Sequence, residues 1–174
     1  MNNEEFLAYT AGFFDADGCV GVYGKKQPEY LRGRIFGLEI VICQKNWLPM
    51  FQKWHERWGG SLTPHPHTGW QWRLACRQAA SFLRDILPYL QNKRDQAELA
   101  IEFQARKRQR GSTHLTDAEF EWQKAVSVAL KEMKQTGGKA PVRWLERTRG
   151  QVAELYRQLS LFPSPHSNTL TMEE

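Results

Sequence analysis

Positive charge is missing from the start of this chain. No Lys or Arg precedes Lys25, although the 174 residues carry a formal charge of +5 and an excess of Lys and Arg over Asp and Glu. The basic charge therefore lies wholly beyond the first two dozen residues, an asymmetry that favours a polyanionic partner and is also found in ordinary mildly basic proteins. Cysteine is scarce. Cys19, Cys43 and Cys76 are odd in number, far apart and form no C-x-x-C pair, which excludes a disulfide framework and a zinc knuckle and points to a reducing compartment. No run approaches eighteen apolar residues, so no membrane partner is expected. The acidic start Met1-Asn2-Asn3-Glu4-Glu5 lacks the basic character of signal and transit peptides. The expectation is an intracellular protein, not secreted, acting in the compartment that encodes it. Internal repeats and low-complexity blocks are absent too, and the length fits one domain, residues 1–162, followed by a polar, Pro-containing tail, 163–174.

What is present is a regular alternation of helix-like and strand-like stretches. Glu4 to Ala16 reads as a helix that is apolar on more than one face, rich in Ala and Gly, and stopped by Gly18. Cys19 to Lys26 and Ile35 to Gln44 read as strands; in the second, Phe36, Leu38, Ile40 and Ile42 alternate with Gly37, Glu39, Val41 and Cys43. Asn46 is a candidate cap for a helix with Pro49 in its first turn, ending at Gly59-Gly60. Ser61 to His67 and Gly69 to Cys76 form a second hairpin around Thr68-Gly69, and helices are expected over Ala79–Ile86, Lys93–Lys107, Asp117–Lys134 and Val142–Leu161. The fold class is α+β in the order α-β-β-α-β-β-α with additional C-terminal helices, its four antiparallel strands offering one apolar face to helices and one polar face to something else.

The stretch that carries chemistry is Thr10-Ala11-Gly12-Phe13-Phe14-Asp15-Ala16-Asp17-Gly18, where an apolar helix runs into two acids. Carboxylates at a helix C-terminus face its negative dipole end and are disfavoured unless a cation compensates them. Residues two apart on a helix point in different directions, so Asp15 and Asp17 should have different roles, with Asp17 projecting past the last turn. Hard oxygens in an open position suit Mg²⁺ better than zinc. A plain C-terminal turn is the bland alternative. An EF-hand fails for want of further acids between Tyr23 and Lys26. Phe13-Phe14-Asp15-Ala16-Asp17-Gly18 also resembles the first motif of haloacid-dehalogenase-type phosphatases, which implies an apolar strand feeding a parallel sheet.

The same residues, Ala11 to Gly18, resemble the LAGLIDADG motif of homing endonucleases and intron maturases, with Thr10 in place of the leading Leu. The resemblance extends over most of the chain, because the family's element order is the one read above. It implies a LAGLIDADG endonuclease fold with a four-stranded antiparallel DNA-binding sheet, and a homodimer, since this chain holds a single motif. It implies catalysis by Asp17, Gln44 and Lys93: metal at Asp17 and Gly18, Gln44 ordering water, Lys93 stabilising developing charge. Mg²⁺ is the implied cofactor, with Mn²⁺ substituting and Ca²⁺ supporting binding without efficient cleavage. Ala8, Ala11 and Gly12 are implied at the dimer interface, with Asp15 capping the partner's helix. The implied reaction is metal-dependent hydrolysis of both strands of a long, roughly palindromic double-stranded DNA site, with intron RNA as the partner in the maturase alternative.

Counting by twos places Tyr23, Lys25, Gln27, Glu39, Thr63, His65, Gln71 and Arg73 on the polar sheet face, where a twisted ribbon can read base edges in the major groove. Arg32 and Arg34 are expected at phosphates. His65-Pro66-His67 lacks a third metal ligand and reads as a surface loop or base contact. Arg106 to Arg110 reads as a charged helix end, suited to the helix dipole or to a DNA backbone.

Overall fold

The computed structural model describes residues 1–29, 32–67, 69–107 and 115–135. These all belong to one compact unit. The helix expected over Val142–Leu161 and the tail 163–174 lie outside the described residues, as does most of the basic run beyond Lys107.

Helix α1 (Asn3–Asp17) opens on a capping box in which the Asn2 side chain accepts from the Glu5 N–H and the Glu5 carboxylate accepts from the Asn2 N–H, both at 2.9 Å. Strands β1 (Gly18–Lys26) and β2 (Arg34–Gln44) follow, then α2 (Pro49–Trp58), β3 (Ser61–His65), β4 (Gly69–Ala75), α3 (Cys76–Ile86), a 3₁₀ turn (Leu87–Tyr89), α4 (Arg94–Arg106) and α5 (Asp117–Gln135). The order matches the sequence reading, apart from the added 3₁₀ turn; β3 stops at His65 rather than His67, and two helix starts differ. Helix α2 is capped by Leu48 without a side-chain hydrogen bond, so Asn46 is not its cap and Pro49 alone marks its start. Helix α3 begins at Cys76, whose φ of 49° turns the chain sharply out of β4, three residues earlier than apolar spacing indicated.

The sheet is antiparallel throughout, in the order β1-β2-β4-β3, so the two hairpins meet along β2 and β4. Its even-numbered residues make the core. Val20, Val22, Phe36, Leu38, Ile40, Ile42, Trp72 and Leu74 are all buried against the helices. Packed on them is an aromatic cluster in which Trp54 stacks on Trp72 at 5.5 Å and Phe82 meets both Phe14 and Trp72 edge-on. This layer holds α1 in place, and with it the two acids at its end. No described helix is long and apolar enough to cross a membrane.

Candidate active site and nucleic-acid interface

The end of α1 resolves the roles of its two acids. Asp15 turns inward and accepts from three successive backbone N–H groups of its own chain, those of Gln91 (2.7 Å), Asn92 (3.2 Å) and Lys93 (2.9 Å), at the entry to α4. A carboxylate at a helix start meets the positive end of the dipole, which explains why this one is stable at the foot of its own helix. The expectation that Asp15 caps the partner's helix is therefore corrected: its acceptors are taken within its own chain. Asp17 turns outward and is exposed. The Gln44 Nε2, brought over by the last residue of β2, donates to Asp17 Oδ2 at 2.6 Å. Gly18 is required by space, since a Cβ there would strike the Phe14 ring, while its φ of −75° suits any residue.

Lys93 lies on the other side of Asp15 and donates its Nζ to the Asp15 carbonyl oxygen. Burial pushes the Lys93 pKa below its ordinary value, with the Asp15 charge opposing it. Asp17, Gln44 and Lys93, widely separated in sequence, thus converge around the last turn of α1. Their chemistry fits a hard divalent cation at Asp17: an exposed carboxylate oxygen and an amide that can hold water. Among the described residues no group of three or more His, Cys, Asp and Glu is assembled.

Beyond its first turn, the exposed positions of α1 are Ala8, Tyr9, Gly12, Ala16 and Asp17. A Cβ added at Gly12 would meet nothing within 4 Å. Ala11, expected at the same surface, is instead fully buried in its own core. Thr10 is buried as well, and its Oγ1 accepts from the Trp54 Nε1 at 2.9 Å, so the departure from a leading Leu is matched by a polar partner on α2. Ala16 and Tyr9 were missed because a helix apolar on several faces does not reveal which face its own chain covers.

The odd-numbered sheet residues do share one face. Tyr23, Lys25, Glu39, Thr63, Gln71 and Arg73 fall on it, as does His65 at the end of β3. Three are less free than expected. Glu39 is 8% exposed and pairs with Lys25 at 2.5 Å and Arg73 at 3.9 Å, so its carboxylate acts first within the sheet. Tyr23 folds back so that its hydroxyl meets the Lys134 Nζ at 3.0 Å. Gln71 is tied to Cys43 and Arg73 at 3.4 Å each. Gln27 closes the β1–β2 loop through its N–H to the Gly33 carbonyl. Arg34 is exposed on the opposite parity. Arg32 departs from expectation: it donates to Asp117 and the Leu115 carbonyl and lies over Phe120 at 5.4 Å, anchoring the β1–β2 loop to α5 rather than offering its charge to phosphate. The reading of His65 and His67 as a surface pair stands, with the His67 N–H donating to His65 Nδ1 at 3.4 Å.

Comparison with known proteins bears on this arrangement. No protein-family model matches the chain, and no curated protein matches it in sequence. Solved structures match in fold. The homing endonuclease I-CvuI, in complex with a DNA target, aligns with a TM-score of 0.65 at 21% identity over 88% of this chain and 96% of its own. The archaeal intron-encoded homing endonuclease I-Vdi141I, complexed with DNA, gives 0.58 at 16% over 92% and 100%. The LAGLIDADG homing endonuclease I-LtrWI, bound to target DNA, gives 0.62 at 15% over 84% of this chain and 57% of its own. The phosphatase resemblance is overturned on two counts, because both acids sit on a helix and the sheet has no parallel pair. The chain has the fold of the LAGLIDADG homing endonucleases.

Proposed function

We propose that the protein is a site-specific, metal-dependent endonuclease that acts as a homodimer and hydrolyses both strands of a long double-stranded DNA site. The observation that carries this reading is the pairing of an outward-facing Asp17 with Gln44 at the end of a strand whose odd-numbered face is polar. Chemistry and recognition then share one strand, β2. Support for the substrate comes from the neighbours in fold, which were crystallised on DNA targets, I-CvuI in the presence of Mg or Ca.

Mg²⁺ would be held by Asp17 with the Gly18 main chain beside it, where it would activate water and neutralise phosphate charge; Mn²⁺ would substitute, and Ca²⁺ would support binding without efficient cleavage. The remaining oxygens would come from the DNA and from Asp17 of a second copy, since the described residues of one chain assemble no larger acidic cluster. Gln44 holds the Asp17 carboxylate in one orientation and leaves its own carbonyl oxygen free to position water. Lys93, buried enough to feel a weakened dielectric, places a cation next to the phosphate that gains charge. Exposed Ala8 and Gly12, joined by Ala16 and Tyr9, supply the small surface on which two α1 helices cross, replacing Ala11 and Asp15 in that role. Purified protein incubated with Mg²⁺ and the DNA flanking its own gene should produce one specific double-strand cut. A protein that binds that DNA without ever cutting it would favour an RNA-binding splicing role on the same fold.

A further inference from the structure

The last turn of α5 carries Lys134 around the β1 edge onto the odd-numbered face of the sheet, a contact no motif announced. Its Nζ donates to the Tyr23 Oη and the Cys19 Sγ, each at 3.0 Å. It also lies 5.2 Å from the centroid of the Tyr23 ring. Gly21 makes the room: a Cβ there would stand 2.8 Å from the Tyr23 ring and 3.0 Å from the Lys134 nitrogen. A phenol and a thiol orient the ammonium, neither of them a carboxylate, and one of its three N–H donors remains. Burial alone would lower the Lys134 pKa, yet the hydrogen bonds to Tyr23 and Cys19 outweigh it and the net direction is up.

This ammonium is one wall of a cavity of about 410 Å³ whose other walls are Asp15, Gly18, Cys19, Asn92, Lys93 and Gln96. Two of those residues, Asp15 and Gly18, bracket Asp17. The Asp15 carboxylate keeps its charge but directs its oxygens at three backbone N–H groups, and two lysines against this one acid leave the lining net cationic. Gln96 is 2% exposed, and its Oε1 has no partner among the described residues. A half turn of that amide presents its NH₂ to the cavity instead. Two ammonium groups and an amide that can turn its NH₂ inward suit an anion.

We propose that Lys134 is a phosphate-binding residue that seats a DNA phosphate neighbouring the one cleaved, in the cavity it shares with Lys93 and Gln96. The inference rests on the endonuclease reading. It divides labour between the lysines: Lys93 meets charge that develops during reaction, whereas Lys134 holds charge present before and after it. Losing Lys134 should therefore weaken binding and raise KM while leaving kcat within a few-fold.

The test uses the full-length protein. Binding to a short random-sequence duplex in Ca²⁺ is followed against salt, and cleavage of the flanking DNA is followed in Mg²⁺. Lys134→Met should lower the slope of log K against log salt by about 0.9 for each lysine lost, or about 1.8 per dimer, while Lys134→Arg retains the slope. Gly21→Ala, which displaces the ring and ammonium together, should reproduce the Lys134→Met slope. A Lys134→Met protein with the wild-type slope and KM would overturn the proposal, and a fall in melting temperature alone would assign Lys134 to tethering α5. Failure of wild-type protein to bind or cut would count against the endonuclease reading, a result separable from either of these.

Discussion

At the scale of single residues, the two acids of α1 make opposite predictions. Asp17→Asn should lower cleavage by at least about 10²-fold and leave target binding intact, because it removes the outward carboxylate without touching the sheet face. Gel assays of cutting and binding on the same preparation check this, and near-normal cutting in Mg²⁺ would sink the metal assignment. Asp15→Ala should instead cost about 2 kcal/mol in urea unfolding, since it leaves three N–H donors at the start of α4 without their acceptor. Thr10→Val keeps the volume but orphans the buried Trp54 indole N–H, and should destabilise by about 1–3 kcal/mol with no direct effect on the site. Lys93 gives a pH prediction. Its pKa is lowered by burial, so with rising pH its cation, and the charge stabilisation that depends on it, disappears before that of an exposed lysine. The alkaline limb of kcat should move upward in pH in Lys93→Arg, whose guanidinium does not titrate there. The sign for stability is the reverse: a lowered folded-state pKa makes the unfolded chain bind more protons, so this group's contribution to stability rises with pH between the folded value and the ordinary 10.5.

At the scale of elements, the hairpins separate reading from holding. Arg73→Ala and Gln71→Ala should relax base preference at their own positions by about 1–3 kcal/mol, whereas Arg34→Ala should weaken all sequences alike. Selection from a randomised target library distinguishes the outcomes; a change of preference with Arg34 alone would mean that the wrong parity meets the bases. The odd and even sets of β1, β2 and β4 were legible in the sequence because a strand's period of two is strict and its apolar residues mark one face. Element order was legible for the same reason, with Pro49, Gly18 and Gly59 as punctuation. What escaped was whatever depends on long separations. Asp15 reaches residues 76 to 78 positions away, Lys134 reaches Cys19 across 115, and Arg32 reaches Asp117 across 85. Nothing local in those side chains names a partner, so Arg32 read as a phosphate contact and Lys134 as an ordinary helix end. Ala11 and Gly12 were indistinguishable on a helix apolar all round, and only packing against Trp54 and Phe82 decides which one faces out.

At the scale of the whole molecule, the exposed side of α1 predicts assembly. Light scattering at micromolar concentration should give twice the mass of one chain without DNA. Gly12→Leu should shift the protein to monomer and abolish double-strand cutting, while unfolding as cooperatively as wild type, because the added side chain meets only open space within its own chain. A monomeric wild-type protein that still cuts both strands would refute the symmetric arrangement. The Lys25–Glu39–Arg73 ion pairs carry a different kind of consequence. Because one nearly buried carboxylate holds two cations on the sheet face proposed to meet DNA, these three positions cannot drift independently: replacing Glu39 frees both cations, and replacing either cation leaves the acid to find another partner. A lineage adapting to a new site, or a library built to retarget this scaffold, would find Thr63 and His65 mutable one at a time. Residues 25, 39 and 73 would be inherited as a block, with intermediates less fit than either end.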